Sequence, residues 1–118
     1  MGTFAHPITL LASSGSESET LTALVDTGAT FTSAPALTLE RLGVTPQSQI
    51  RLRLADGSVV EQEIGEVIAE MDGVERTIIC VFSPEDSQPL IGAYTLEAFL
   101  LAVDPVEQRL VPTEALWL

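Results

Sequence analysis

Two Asp-Gly pairs, at 56–57 and 72–73, divide the middle of the chain into four short segments of apolar, strand-like character. The segments are Ile50 to Leu54, Val59 to Ile64, Val67 to Met71 and Val74 to Phe82. Asp-Gly between such segments predicts a β-hairpin, because the tight turn needs positive φ and glycine adopts it without a steric penalty. The fold is therefore expected to be mainly β. Gly65 predicts a bulge between the second and third segments.

The rest of the chain predicts more strands and little helix. Strand candidates are Phe4 to Leu11, Leu21 to Val25, Val106 to Val111 and Ala115 to Leu118. Ala36 to Leu42 predicts one short helix, which Gly43 would end. Thr95 to Val103 predicts a second helix more strongly, because Leu96, Phe99, Leu100 and Val103 would form one apolar face. Asp104-Pro105 would end that helix. The 118 residues carry no repeat or linker and predict one domain, 1–118.

The charge balance excludes several classes of partner. The chain has 17 acidic residues against five arginines and no lysine, for a net charge of −12, while 46% of its residues are apolar. Disorder is disfavoured because this apolar content can build a core. Nucleic acid and anionic membrane surfaces are not expected as partners, since both need a basic patch. No apolar run reaches the length of a membrane span, and no secretion signal is evident, so we expect a cytoplasmic protein.

Cys80 and His6 are the only residues of their types. An intrachain disulfide, a cysteine zinc cluster and a histidine-rich metal site are therefore not expected, nor is a Ser-His-Asp triad. Cys80 lies in a strand-like segment and is expected in the core. We expect no metal and no cofactor.

The segment from Ala23 to Thr30 carries the chemistry. An apolar strand delivers Asp26 into a turn that contains Gly28. Gly28 lets the backbone approach the carboxylate because it has no Cβ. The Thr27 hydroxyl could hold the neighbouring backbone. A turn-forming role for Asp26 is the alternative interpretation.

Leu24-Val25-Asp26-Thr27-Gly28-Ala29-Thr30 resembles the catalytic motif of retropepsin-like aspartic proteases, above all their small bacterial relatives. Three further features match that family in order along most of the chain. They are the hairpin at Asp56-Gly57, where the family has its flap, the segment Leu90-Ile91-Gly92, and the helix after it. A turn-forming role for Asp26 does not account for Leu90-Ile91-Gly92. The resemblance implies closed, barrel-like β-sheets with a flap hairpin and one short C-terminal helix.

The resemblance also implies a function, an aspartic endopeptidase acting on peptide or protein substrates. Asp26 would be the catalytic residue, with Thr27, Gly28 and Ala29 supporting its loop. The flap tip would be Ala55, Asp56, Gly57 and Ser58, and Leu90, Ile91 and Gly92 would be structural support. Such chemistry needs two carboxylates that share a proton, and the chain has one Asp-Thr-Gly, so a homodimer is expected.

Several alternatives stay open at this stage. The chain could be a non-catalytic dimerisation or peptide-binding module with the same fold, because a fold does not grant activity. Its activity could also be limited to self-processing. Asp56 could serve only its turn, and Trp117 could lie at a subunit interface or cover its own core. Retroviral members often have Asp and Arg where this chain has Thr30 and Ala93, so their charge pair is absent here.

Overall fold

Residues 3–118 are described by a computed structural model, and they form nine strands and two short helices. In chain order the elements are β1 (Phe4–Leu11), β2 (Ser18–Val25), β3 (Thr32–Pro35), α1 (Ala36–Arg41), β4 (Ser48–Arg53), β5 (Val59–Met71), β6 (Val74–Ser83), β7 (Leu90–Ile91), α2 (Ala93–Ala98), β8 (Leu101–Asp104) and β9 (Arg109–Pro112). Within these residues, neither helix is long and apolar enough to span a membrane.

Six of the strands close into a ring. The large sheet has the order β1-β2-β7-β3-β6-β5-β4, and β1 pairs a second time with β5, where Leu10 lies opposite Ala69. β4 remains outside the ring and pairs with β5 alone, so β4 and the first half of β5 form a projecting hairpin, the flap. The closed, barrel-like β fold with a flap is confirmed.

The core lies inside this ring because side chains alternate between the two faces of each strand. Most buried residues of the long strands follow that period: Ile8 and Leu10 in β1, Ala23 and Val25 in β2, Val67, Ala69 and Met71 in β5, and Ile78, Cys80 and Phe82 in β6. Val81 and Ser83 are buried as well, on the opposite face of β6. Cys80 is fully buried, as expected for a small core residue. Each large aliphatic side chain contributes about 1.5–3 kcal/mol when it is removed from water.

Both Asp-Gly pairs form hairpin turns, by different geometries. Asp72 and Gly73 have φ of 53° and 85°, which is the two-residue turn whose twist matches paired strands. At the flap tip only Gly57 has positive φ, at 89°, and its N–H donates to the Leu54 carbonyl at 2.9 Å. That is the three-residue loop in which a type I turn is followed by a left-handed glycine.

The bulge predicted at Gly65 is wrong. β5 runs unbroken from Val59 to Met71, and its register against β6 passes through Gly65 without a step, with Gly65 opposite Cys80. The glycine is required instead by the chain beside it. A Cβ at Gly65 would lie 2.8 Å from the Thr45 carbonyl oxygen and 3.0 Å from Val44 Cγ1.

The C-terminal helix is shorter than the apolar period predicts. α2 ends at Ala98, and Leu100 adopts a φ of 55° that turns the chain into β8. Val103 therefore lies in a strand opposite Leu110 of β9, and Asp104-Pro105 ends that strand rather than a helix. The helix is shorter than predicted because residues 101–104 pair with β9, and a local apolar period carries no information about that distant partner.

The last predicted strand is also wrong, and the one before it is too long. Strand structure begins only at Arg109, because 105–108 form a turn in which Asp104 Oδ1 accepts hydrogen bonds from Val106 N–H and Glu107 N–H at 3.0 and 3.1 Å. Residues 113–118, the C-terminal tail, pair with no strand of residues 3–118. The last three side chains of the tail, from Leu116 to Leu118, are fully exposed.

Candidate active site

Asp26 lies at the point where β2 leaves the sheet. Its backbone N–H donates to the Ile91 carbonyl at 3.0 Å, directly after the parallel pairing of Leu24 with Leu90 and Val25 with Ile91. The structure therefore brings Asp26 together with Leu90-Ile91-Gly92, although more than sixty residues separate them in sequence. Hydrogen bonds to β7 therefore hold the end of β2, and with it the backbone of Asp26, in place.

The loop after Asp26 orients the carboxylate. Gly28 N–H donates to Asp26 Oδ1 at 2.9 Å, and Ala29 N–H donates to the Asp26 carbonyl at 3.1 Å. A Cβ on Gly28 would lie 3.2 Å from Oδ1, so the absence of a side chain allows this approach. Asp26 Oδ2 has no hydrogen-bond partner within residues 3–118, and the side chain is half-buried. One carboxylate oxygen is thus held and the other is free to bind a reactant.

Thr27 is exposed, and its hydroxyl bonds no atom of the described chain. The loop is held from a different direction, by the start of α2. Ala93 N–H donates to the Ala29 carbonyl at 2.8 Å, and Tyr94 N–H donates to the Thr30 carbonyl at 2.9 Å. At positions 30 and 93, retroviral proteases are expected to have a pair of opposite charges, whereas this chain has the neutral Thr30 and Ala93. The backbone hydrogen bonds hold the loop to α2 without that charge pair.

Gly92 makes this attachment possible. A Cβ at that position would lie 2.5 Å from the Phe31 carbonyl carbon, 2.6 Å from its oxygen and 2.9 Å from the Ala29 oxygen. Its φ of −94° is open to any residue, so the requirement for glycine is purely one of space. Close approach of two backbone segments explains why an apolar-apolar-Gly segment accompanies the Asp-Thr-Gly loop.

A buried hydroxyl pair beneath the loop was not predicted. Thr32 Oγ1 and Thr95 Oγ1 lie 2.7 Å apart, each 1% exposed, and Thr32 Oγ1 also accepts the Gly92 N–H at 3.2 Å. The pair joins β3 to α2, and through Gly92 N–H it contacts the segment that holds the Asp26 loop. Only the pairing of distant segments reveals it, because threonines 63 residues apart carry no local signal.

A cleft of about 810 Å³ lies between the Asp26 loop and the flap. From the loop it is lined by Asp26, Gly28, Ala29, Thr30 and Phe31, from the flap by Arg51, Leu52, Arg53, Leu54, Ala55, Val60 and Gln62, and from the remaining wall by Ser33, Val81, Ser83, Pro84, Ser87, Gln88 and Leu90. Asp26 is the single acidic residue in this lining. Its volume lies in the range of ligand-binding clefts.

The flap tip turns partly away from the cleft. All four of its predicted residues are exposed, and only Ala55 lines the cleft. Asp56 Oδ1 accepts hydrogen bonds from Ser58 Oγ at 2.6 Å and Ser58 N–H at 2.9 Å. These bonds, that from the hydroxyl foremost, lower the pKa of Asp56 below its usual value. The geometry favours a turn-forming role for Asp56.

Asp26 also borders a second cavity, of about 420 Å³, on the side away from the flap. Phe4 at the start of β1 and Val103, Pro105 and Gln108 of the β8–β9 hairpin line it. Asp26 therefore borders two cavities, the cleft and one on the face that carries the N-terminal strand.

Other reactive groups of the chain are remote or blocked. Burial raises the pKa of the Cys80 thiol to about 12, so it is not a nucleophile near neutral pH. Within 3–118, no three His, Cys, Asp or Glu side chains gather closely enough to hold a metal ion. Asp26 remains the one candidate for acid–base chemistry that lines the cleft.

Comparisons with known proteins agree with this geometry. A family model described as aspartyl protease matches residues 13–94, a segment that contains the Asp26 loop, the flap and Leu90-Ile91-Gly92. Comparison with curated proteins gives no match. Among solved structures, the chain is similar to the protease of simian foamy virus (mac), with a TM-score of 0.56 and 19% identity over 80% of this chain and 92% of that one. At that identity the likeness bears on the fold.

Proposed function

Because this chain belongs to the aspartyl protease family, we propose that it hydrolyses peptide bonds with two Asp26 carboxylates, one from each subunit of a homodimer. The observation that carries the proposal is the state of the Asp26 side chain. One oxygen is oriented by Gly28 N–H, the other has no hydrogen-bond partner in residues 3–118, and the residue lines the cleft. The chain is an aspartic-type endopeptidase by family, and the proposal concerns how it assembles and works.

Two carboxylates at close range would share one proton, since like charges so near each other resist double ionisation. The ionised Asp26 would take a proton from a bound water, whose oxygen then attacks the peptide carbonyl carbon. The protonated Asp26 would donate a hydrogen bond to the carbonyl oxygen as negative charge develops on it. Return of a proton to the amide nitrogen releases the two products.

The second carboxylate is assigned to a partner subunit because the chain's other aspartates have local roles. Asp56 is bonded within the flap turn. Asp72 forms the distant hairpin turn and lies 3.3 Å from His6 Nε2, close enough for an ion pair but without hydrogen-bond geometry. Asp104 accepts two backbone N–H groups of its own turn. Asp86 is exposed in the loop before β7 and does not line the cleft.

The C-terminal tail supports a dimer. Its start is fixed by a hydrogen bond from Thr113 N–H to the Leu100 carbonyl at 2.9 Å, after which the apolar side chains project into solvent. Trp117 is 98% exposed, a costly position for the single tryptophan of the chain. Exposed apolar segments of this kind mark interaction sites, and a second copy of the chain is the partner that the chemistry requires.

The catalytic role is tested with Asp26→Asn against a matched Asp86→Asn control, on a peptide library. Asparagine can still accept the Gly28 hydrogen bond, so the loop should keep its form while proton transfer is lost. We expect cleavage to fall by about two to four orders of magnitude for Asp26→Asn and to stay unchanged for Asp86→Asn. Equal cleavage by Asp26→Asn and wild type would contradict the proposal. Peptide binding without cleavage by the wild type would favour a binding module.

The composite site is tested by mixing wild-type and Asp26→Asn subunits at constant total concentration. If each active site needs Asp26 from both subunits, activity follows the square of the wild-type fraction. A linear dependence would mean that one subunit suffices. Sedimentation over the same concentrations should show dimers where activity is present. Trp117 emission should shift to the blue as the dimer forms.

A further inference from the structure

Ser83 carries a buried hydroxyl that the fold does not use. It is the last residue of β6 and is 7% exposed, and its Oγ has no hydrogen-bond partner in the described chain. An unpaired buried hydroxyl is destabilising, and most such groups in native proteins are paired. Ser83 belongs to the lining of the cleft. The Oγ atom has almost no solvent-accessible surface in the free chain, so the orphaned hydroxyl points to a substrate group that reaches it once the Ser83 side chain rotates toward the cleft.

Strand register places two further polar side chains on the same face. Val81 lies opposite Ser33 of β3 on one side and opposite Ile64 of β5 on the other. Since side chains two residues apart share a face, Ser83 and Gln62 belong to the face that carries Val81. Gln62 and Ser83 each lie two residues beyond Ile64 and Val81, the last pair between β5 and β6. All three polar residues line the cleft.

This face is the floor of the cleft, and its chemistry is neutral. None of Ser33, Gln62 and Ser83 has a side-chain hydrogen bond to another residue of 3–118. Two hydroxyls and a carboxamide offer both donors and acceptors but no charge. Around them the floor is apolar, formed by Leu52, Val60, Val81 and Leu90.

The two arginines that line the cleft start from the face of the flap sheet opposite to Leu52 and Val60. Leu52 pairs with Val60 on the floor side, so Arg51 and Arg53 alternate to the outer side. Arg53 is further tied to the turn by a hydrogen bond from Nη1 to the Gly57 carbonyl at 2.9 Å. Among Ser33, Gln62 and Ser83 a substrate carboxylate would meet no cation, whereas Arg51 and Arg53 line the cleft from the flap. A substrate ammonium group would find no carboxylate except Asp26.

From these observations we propose that the floor selects peptides with a carboxamide side chain, Gln or Asn, next to the scissile bond. The apolar part of that side chain packs on the floor, and its amide exchanges hydrogen bonds with Ser83, aided by Gln62 and Ser33. Ser83 is thus a specificity-determining residue. The inference rests on the proposed function, because it concerns the substrate of that same cleft.

The test uses an eight-residue apolar peptide in which Gln, Glu, Lys or Leu replaces each position in turn. Cleavage is measured as kcat/KM with the wild type, and binding by fluorescence polarisation with the inactive Asp26→Asn protein. We expect one position at which Gln is preferred over Leu by about two- to tenfold, the range that a single hydrogen bond supplies. A preference for Leu, Glu or Lys at every position would overturn the inference, and the proposed function would stand if cleavage is seen.

Ser83→Ala separates specificity from structure. It should lower kcat/KM more for the Gln peptide than for the Leu peptide and so remove most of the Gln preference, and the unfolding temperature should stay level or rise because an unpaired buried hydroxyl is removed. Gln62→Met should weaken the same preference, and Ser48→Ala, on the same flap but outside the cleft lining, should not. Retention of the Gln preference in Ser83→Ala, an equal loss for all peptides, or a lowered unfolding temperature would each refute the role of Ser83.

The binding series keeps the two proposals distinct. If the wild type cleaves no peptide, the proposed function fails, and the polarisation measurements still decide whether the floor prefers a carboxamide. If the wild type cleaves every peptide at the same rate, the catalytic proposal holds and the inference about the floor is refuted.

Discussion

Replacing Gly92 by alanine should damage the fold and the active site together. The new Cβ would lie within 3.0 Å of three backbone atoms, two of Phe31 and one of Ala29. Overpacking costs about 1–3 kcal/mol where side chains can yield. Here the obstructing atoms are backbone, so we expect about 3 kcal/mol, the upper end of that range. At about 4 °C per kcal/mol for a domain of this size, the unfolding temperature should fall by about 12 °C.

The same displacement should reach Asp26. A Cβ at position 92 would push the start of α2 away from the Asp26 loop. The hydrogen bonds from Ala93 N–H and Tyr94 N–H to that loop, at 2.8 and 2.9 Å, would then break. Misplacing a catalytic group by about 1 Å can reduce a rate about a hundredfold, so kcat should fall by that order at temperatures where the protein is still folded.

Gly43→Ala is the matched control for both effects. Gly43 has a φ of 79°, but no atom lies within 4 Å of the place that a Cβ would take, so alanine there meets strain without a clash. We expect a loss of about 1 kcal/mol and unchanged activity. Thermal unfolding of the two variants at equal subunit concentration makes the comparison. If Gly92→Ala unfolds no lower than Gly43→Ala, or retains full activity, the close-approach argument is refuted.

Three further outcomes follow from the structure. Cys80, with its pKa raised to about 12 by burial, should resist iodoacetamide at pH 8 in the folded protein and react once urea unfolds it; labelling of the folded protein would show that the core opens readily. Hydrogen bonds from Ser58 lower the pKa of Asp56, so an NMR titration of the Ser58 amide should have its midpoint below 3.8, the ordinary value for aspartate. The stabilising effect of these hydrogen bonds is present at neutral pH and is lost as the pH falls through that midpoint. A subunit charge of −12 opposes dimerisation, so activity at a fixed subunit concentration should rise with salt; a fall would contradict a repulsion-limited dimer.

The hairpins could be predicted from the sequence because their cause is local. Asp-Gly at 56–57 and 72–73 carries the turn geometry within two residues. Gly65 shows the limit of that reasoning, since its cause is the passage of Thr45 and Val44 against β5, which no nearby residue records. The end of α2 fails for a related reason. Leu96, Phe99, Leu100 and Val103 satisfy an apolar helical period, but β9 offers strand partners to Leu101 to Asp104.

The candidate site divides in the same way. The Asp26 loop and its partner Leu90-Ile91-Gly92 are recognisable as segments, because each is a short run with a defined composition. The floor formed by Ser33, Gln62 and Ser83 cannot be recognised from the sequence, because it depends on the pairing of β3, β5 and β6. The orientation of the flap tip also required the structure, since alternation along β4 does not say how far its turn leans over the cleft.

β5 belongs to two structures at once. From Val59 to Ile64 it pairs with β4 as an arm of the flap, and from Ile64 to Met71 it pairs with β6 as a wall of the ring. Gly65, held beneath the Thr45 carbonyl, marks the place where one role passes to the other. The ring of six strands therefore closes without any contribution from the flap. The length and tip of the flap can diverge between relatives while the hydrogen bonds of the ring stay the same, so substrate preference can evolve with little change in the stability of the scaffold.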